Sequence, residues 1–398
     1  MRPRTRRILL LASRELLRGF LRRNSRWLAS LAFTGIPAVL ACAMLLALFA
    51  WESDTQVKTP PDLPFAALAF VPDDGQIEPA AARDALRSAG QVSYFDTRLS
   101  EAPVWFAFTP PKLAPDSAGP PLVYFPSRHA RTLSCWRGPS LTPFGTANRA
   151  GTTGALTLTN SGFATKGVDL SGIPVLCRAT FVGPAHLTVT AWTAADFNQS
   201  IRAFANDMGL LEGGLTVLAV FMLLVALVNR EPVYVVFAAW LIVSTRVGAI
   251  SAGWDTLWLG HQVPAGWLDG MRKLVLAANF PLTAFLFLRL FKADLTHIAR
   301  RPLVNILELI YLPMFAAAVL LPYRNFIPML WLGSFVGYGI IVYFLARILL
   351  TSRARIALWF AASLVVTAIA GFAEVIKAML GLPGPIPYVN SVTAALSS

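Results

Sequence analysis

The sequence predicts a membrane protein in which an N-terminal anchor helix and an extracytoplasmic all-β domain, of the jelly-roll or sandwich type, precede an α-helical transmembrane bundle. Composition is the first observation behind this prediction: 56% of the 398 residues are hydrophobic and only 14% are charged, whereas soluble domains carry about 25% charge. The second is that long apolar runs are confined to residues 27–51 and 208–398. The third is the intervening segment, 52–207, which is rich in Pro and Gly and has only short apolar stretches.

The N-terminus predicts a basic cytoplasmic segment followed by a transmembrane anchor. Residues 1–26 contain nine Arg and one acidic residue, Glu15, and positive charge of this kind is retained on the cytoplasmic side. Residues 27–51 are apolar and uncharged, which is long enough to cross about 30 Å of hydrocarbon. A cleaved signal peptide would have a shorter apolar core and a small-residue cleavage site. Because residues 48–50 (LFA) fit such a site poorly, we favour an uncleaved anchor over a signal peptide.

Residues 52–207 predict a β-sandwich that faces the periplasm if the cell is Gram-negative. Short apolar or β-branched stretches recur between turn signals there, which is typical of a sandwich or barrel. An anchor that leaves the cytoplasm places this domain outside. The predicted strands are Val104–Phe108, Leu122–Phe125, 155–158, 175–179 and 186–191.

Residues 208–398 predict six membrane spans and the beginning of a seventh. Connections rich in Arg and Lys alternate with connections that carry fewer of these residues. The positive-inside rule places the basic connections in the cytoplasm and so orients the bundle. We place the connections around Arg230, Arg300 and Arg353 in the cytoplasm, and the Trp-rich loop 253–270 outside. The spans are expected at 209–228, 233–252, 274–291, 303–321, 327–350 and 356–379.

The end of the chain resembles half of a membrane crossing. Residues 388–396 (YVNSVTAAL) resume an apolar pattern after the turn 381–385. A half-crossing that ends inside the bilayer leaves backbone carbonyls unpaired at high cost. We therefore expect either that the end folds back on the surface or that the chain is incomplete.

Several function classes are not expected. The net charge is +13, but the basic excess flanks apolar runs rather than forming a patch, so nucleic-acid binding is not predicted. The four His are widely scattered, and neither a Gly-rich phosphate loop nor a nucleophile-elbow Ser occurs. We expect no catalytic residues, no metal and no cofactor.

Ionisable residues inside the predicted spans are candidates for signal coupling, because charge in a bilayer is costly and is usually functional. Arg246 is the deepest in a span, Glu308 lies inside the fourth, and Glu374 and Lys377 are three residues apart and can pair on one helical face. The alternative for these residues is interfacial snorkelling or a purely structural pair.

A small-residue face on the fifth span predicts close helix packing. Gly333, Gly337 and Gly339 follow the small-xxx-small pattern. The face suits packing within one bundle, which we favour, and it also allows a homodimer.

The outer domain offers two sets of ligand-facing candidates. Trp105 and Tyr124 are aromatic residues on predicted strands, where a core position is the common alternative. Arg128, His129 and Arg131 form a short basic cluster that could meet an anionic ligand, and a solvated loop is the alternative.

Two cysteines lie in the predicted outer domain. Cys135 and Cys177 could be joined in a disulfide, which an oxidising compartment permits, or could be two buried free thiols.

Two stretches resemble the bacterial receptors that combine seven membrane helices with diverse intracellular signalling modules. One comprises residues 94–99 (YFDTRL) and 102–108 (APVWFAF). The other comprises 229–234 (NREPVY), 238–240 (AAW), Arg246 and 251–255 (SAGWD). The resemblance implies an extracytoplasmic jelly-roll-like domain and cytoplasmic outputs such as diguanylate cyclase (GGDEF), EAL phosphodiesterase or histidine kinase domains. This sequence has no GGDEF or EAL signature, so the resemblance implies the input role without enzyme activity.

These observations predict a multi-pass protein of the bacterial inner membrane that acts as a sensor. Its outer domain would detect a periplasmic ligand or protein, and its bundle would transmit the change to a cyclic di-GMP-type output supplied by a separate GGDEF, EAL or kinase protein. The alternative is a non-signalling partner in envelope assembly or transport.

Overall fold

The computed structural model of the chain describes residues 60, 62–69, 77–112, 121–159, 161–258, 261–298, 300–351 and 355–380, with isolated positions at 39, 42, 43 and 46. The side chains of residues 355 and 369–380 are outside this description. The predicted basic segment and the incomplete seventh span also lie outside the described residues, as does nearly all of the predicted anchor.

The first part of the described chain is an all-β domain with one short helix, as the sequence predicts. Its elements are β1 (Phe65–Ala69), α1 (Pro79–Leu86), β2 (Gln91–Val92), β3 (Phe95–Asp96), β4 (Val104–Phe108), β5 (Leu122–Phe125), β6 (Ala130–Arg137), β7 (Thr142–Asn148), β8 (Gly151–Gly154), β9 (Leu156–Thr159), β10 (Gly162–Thr165), β11 (Val175–Phe181), β12 (His186–Leu187) and β13 (Thr190–Trp192).

Two antiparallel sheets form a sandwich. The larger has the strand order β2-β1-β4-β11-β6-β7-β8, and the smaller has the order β13-β5-β10-β9. Phe106 from the larger sheet meets Phe125 from the smaller sheet edge-to-face at 5.9 Å between ring centroids, and both side chains are buried. The domain core therefore lies between the two inner faces.

Both faces of β4 are covered, which explains its unbroken apolar sequence. Phe106 points into the sandwich, whereas Trp105 stacks on Trp136 at 5.3 Å beneath α1. Trp105 is only 2% exposed. The prediction that Trp105 faces a ligand is wrong, because α1 seals that side of the sheet.

Cys135 and Cys177 are joined in a disulfide between neighbouring strands. They lie directly opposite each other in the register of β6 and β11, with Cα atoms 4.2 Å apart. That separation is typical of the closely spaced pairs of an antiparallel ladder. Both residues are buried in the sandwich core, so the covalent link is part of that core.

Helices make up most of the remaining described chain. They are α2 (Ala194–Asn229), α3 (Pro232–Ala252), α4 (Ala265–Leu290), α5 (Lys292–Ile298), α6 (Arg301–Leu309), α7 (Tyr311–Leu320), α8 (Tyr323–Thr351) and α9 (Arg355–Leu380), and a hairpin of β14 (Leu257–Trp258) and β15 (His261–Gln262) precedes α4. Among the described residues, five helical segments are long and apolar enough to cross a membrane: α2, α3, α4, α6 together with α7, and α8. The sixth predicted span falls on α9, which contains a shorter apolar helical stretch at Ile356–Ala368.

Local signals set the ends of the first two bundle helices. The Thr193 hydroxyl accepts a hydrogen bond from the Asp196 amide and caps α2, which begins before the boundary predicted at 207. Arg230 adopts a left-handed conformation that ends α2, and Pro232 then begins α3. Gly253, at φ +76°, ends α3, as is common for glycine after a helix.

The small-residue face of the fifth predicted span is used inside the bundle. A Cβ on Gly337 would overlap the Phe280 ring of α4, and one on Gly333 would approach Met314 of α7 to 2.8 Å. Gly339 has open space around it. Gly337 and Gly333 thus allow α8 to pack closely against α4 and α7.

Candidate functional site

The β domain contacts the bundle through the loop between β5 and β6. The guanidinium of Arg149 braces this loop: Nε donates to the Ala130 carbonyl at 2.9 Å, and Nη2 donates to the carbonyls of Ser127 and Arg128 at 3.0 and 2.9 Å. Arg149 also lies over the ring of Phe163 at 5.4 Å. The loop that carries Arg128 and His129, together with the start of β6 at Arg131, is therefore held in a defined shape.

A buried ion pair lies opposite this loop, at one end of the bundle. Asp255, in the turn after α3, is 0% exposed. Arg272 of α4 donates to both of its carboxylate oxygens, from Nε at 2.5 Å and from Nη2 at 3.0 Å. A bidentate, charge-assisted pair of this kind is strong and fixes the geometry of both groups.

Three polar contacts join the ion pair and its surroundings to the β domain. Arg272 donates from Nη2 to the Arg128 carbonyl at 3.2 Å, and Arg128 donates from Nη1 to the Ser251 carbonyl of α3. Nearer the surface, Arg131 donates to the Asp269 carboxylate of α4 at 2.6 Å. We call the set Arg128, His129, Arg149, Arg246, Asp255 and Arg272 the junction cluster.

Apolar packing closes the same junction. Val182, which follows β11, belongs to the apolar core of the bundle, and Leu99 packs against that core. Leu99 has φ +63°, a conformation that bulky side chains rarely adopt. Gly183 lies close to Tyr323 of α8, whose ring would come within 3.1 Å of an added Cβ. The tip of the β domain thus contacts α8 at Tyr323 and the apolar core of the bundle through Val182 and Leu99.

His129 is buried at the centre of the junction in its neutral form. Its Nδ1 lies 2.8 Å from the Val182 carbonyl, and the Arg128 Nε lies 3.1 Å from its Nε2. Since a carbonyl only accepts and a guanidinium only donates, we assign the proton to Nδ1 and the lone pair to Nε2. Burial, together with the nearby Arg128, Arg272 and Arg149, holds the pKa of His129 well below its usual value.

Arg246, the predicted coupling residue in α3, reaches the same cluster. Its guanidinium donates from Nη1 to the Leu257 carbonyl at 2.9 Å and from Nη2 to the Asp255 carbonyl at 3.0 Å. It also lies over the ring of Trp258 at 5.2 Å. Arg246 therefore fixes the backbone of the turn that contains Asp255, the residue whose carboxylate pairs with Arg272.

The other predicted site residues lie elsewhere. Tyr124 hydrogen-bonds Ser161 and packs against Phe197 of α2 at 5.1 Å, so it contacts protein rather than an open ligand surface. Glu308 is exposed on α6 and forms no ion pair with the residues that the structure describes. Glu374 and Lys377 fall within α9, but their side chains are outside the described residues.

Sequence reasoning missed Asp255, Arg272 and Arg149 as members of the site. Asp255 was noted only as the last residue of the stretch 251–255 that resembles the receptor family, and Arg272 lies just before the third predicted span, where a flanking charge is ordinary. Arg149 gave no local signal, because only the fold brings it to a loop about twenty residues earlier. Within the described part of the chain, no three His, Cys, Asp or Glu residues come together as metal ligands.

Together, the sandwich, the membrane-length helices and the buried junction between them define a multi-pass membrane protein with a β domain seated on one end of its bundle. The family model described as 7TM diverse intracellular signalling matches residues 207–397. This helical region is similar to that family, and the resemblance found in the sequence is confirmed there. The family region is a sensor input domain of seven-transmembrane receptors and is not itself catalytic. No curated protein matches the chain.

Proposed function

We propose that this protein is a membrane sensor of the bacterial inner membrane, with its β domain in the periplasm. The β domain would detect a small ligand or a partner protein, and the bundle would carry the change to a cytoplasmic cyclic di-GMP-type output. The family match over the helical region supports the receptor class. The Arg-rich N-terminus and the charge of the helix connections support the orientation.

The observation that carries the proposal is the junction cluster. A signal bound outside can alter the bundle only if it has different affinities for two arrangements of the two parts. The pair of Arg272 with Asp255 lies within the bundle, and both Arg272 and α3 hydrogen-bond to Arg128 of the β domain. A shift of the β5–β6 loop would therefore act directly on the outer ends of α3 and α4.

The test is a cyclic di-GMP reporter in cells of the source organism that carry the natural output proteins. We expect Arg246→Leu, and the milder Arg131→Gln at the edge of the junction, to change the reporter signal at least twofold at unchanged membrane levels of the protein. Ser140→Ala, in the turn between β6 and β7, is the control and should leave the signal unchanged. If neither junction variant alters the reporter and the protein instead purifies in a stable complex, the chain is an envelope assembly or transport partner.

A further inference from the structure

A cavity of about 320 Å³ lies between the β domain and α4, a volume within the range of small-ligand sites. One wall is formed by the β5–β6 loop and the turn between β7 and β8, and the other by the first two turns of α4. Its polar lining includes Arg131, Arg149, Arg272 and Asp269. We call this cavity the junction cleft.

The three Arg side chains that line the junction cleft differ in whether a carboxylate pairs with them. Arg272 is paired with Asp255, and Arg131 with Asp269. Arg149 bonds only to backbone carbonyls in the part of the chain that the structure describes. Its charge therefore has no carboxylate within ion-pair distance among the described residues, so an anion in the cleft would supply the missing opposite charge.

The surroundings of Arg149 combine a second cation with two carboxylates. Burial, and after it the nearby Arg272, lower the pKa of Arg149 to about 10, while Asp255 and Asp269 oppose the shift. The first residues of α4, Ala265 and Gly266, line the opposite wall. The N-terminal end of a helix has unpaired amides and a partial positive charge, and it adds to the attraction for an anion.

We propose that the junction cleft binds a small oxyanion, a phosphate or carboxylate group, which Arg131 and the first turn of α4 contact and the charge of Arg149 attracts. Such a ligand touches the β domain and the bundle at once, so its binding favours the arrangement in which the two are closed on each other. The inference rests on the proposed function only for its signalling consequence, whereas anion binding can be measured on its own. The group could be carried by a free solute or by an anionic lipid at the membrane surface.

The test is a ³¹P NMR titration of inorganic phosphate into the full chain in phosphatidylcholine vesicles, with chloride used to hold the ionic strength constant. We expect saturable broadening of the phosphate line by the unmodified protein. Gly266→Asp should weaken phosphate binding at least tenfold, because it places a carboxylate in the cleft at a position with open space where a helix N-terminus favours it. Ala150→Asp, from the opposite wall, should do the same.

Gly90→Asp is the matched control, because Gly90 also has open space around its α-carbon but does not line the cleft. It should bind phosphate like the unmodified protein. If phosphatidylglycerol in the vesicles abolishes phosphate binding, the natural oxyanion is a lipid headgroup, and if binding persists it is a free solute. Absence of saturable binding by the unmodified protein, or equal binding by Gly266→Asp and Ala150→Asp, would overturn the proposal. Either result leaves the reporter test of the sensor role unaffected.

Discussion

At the scale of single residues, Asp255 is the group on which the junction depends. It is a fully buried carboxylate, and it neutralises Arg272 while its own backbone carbonyl accepts from Arg246. Removing one partner of a buried ion pair typically costs about 3–5 kcal/mol, because the other charge remains without compensation. The pair of Arg131 with Asp269 is different: the Arg131 side chain is 58% exposed, and exposed pairs contribute about 0–1 kcal/mol.

The lowered pKa of His129 determines how this residue makes the stability of the protein depend on pH. The unfolded imidazole has a pKa of about 6.5, whereas burial and three nearby Arg lower the pKa in the folded state. The unfolded chain therefore binds more protons below about pH 6.5, and the free energy of unfolding falls as the pH drops from there towards the folded-state pKa. Protonation would also remove the acceptor at Nε2 and add a cation beside Arg128, Arg149 and Arg272.

We expect the apparent Tm of the detergent-solubilised protein to fall steadily between about pH 6.5 and pH 5, where the unfolded imidazole gains its proton. His129→Asn keeps a neutral donor near the Val182 carbonyl and should flatten this dependence. The exposed His261 provides the control, since His261→Asn should keep the full slope. His186 also has a lowered pKa, caused by burial, so some slope should remain in His129→Asn. Identical pH profiles for His129→Asn and the unmodified protein would contradict the assignment.

At the scale of elements, the close approach of α8 to α4 depends on a single glycine. Gly337→Ala places a methyl group against the Phe280 ring, and overpacking of this kind typically costs about 1–3 kcal/mol. Gly339→Ala, two residues further along the same helix, meets open space. We expect Gly337→Ala to lower the apparent Tm by several degrees, and Gly339→Ala to leave it unchanged or raise it slightly. Equal effects of the two substitutions would show that α8 does not pack on α4 in this way.

Strands could be predicted from the sequence where their burial produces a local run of apolar residues. The strands Val104–Phe108 and Leu122–Phe125 occur with the bounds expected from the sequence, because apolar runs between turn signals mark buried strands. The stretch 186–191 is divided instead, since His186–Leu187 pairs with β3 and Thr190–Trp192 pairs with β5. Nothing local marks the point where the chain passes from one pairing to the other.

At the scale of the whole molecule, the layout of a β domain before a helical bundle was predictable, whereas the junction between them was not. Composition and the length of apolar runs are averages over many residues. They therefore predict the division into a β domain and a helical bundle even where individual strand or helix ends are predicted wrongly. The contact of Arg272 with Arg128 joins residues 144 positions apart and depends on how the β domain is seated on the bundle. Arg246, Arg128 and His129 were chosen separately, for depth in a span and for local charge, and the fold brings them together.

The central claim is that the ion pair inside the bundle holds the β5–β6 loop of the β domain. Amide hydrogen exchange on the full chain tests it most directly in Asp255→Asn, with Asp269→Asn as the matched control. The reporter amides are Ala130, which donates to the Ser127 carbonyl, and Val182, which donates to the His129 carbonyl. We predict at least tenfold faster exchange of both in Asp255→Asn, unchanged exchange in β4, and little change in Asp269→Asn. Exchange at Ala130 and Val182 as slow in Asp255→Asn as in the unmodified protein would contradict the claim.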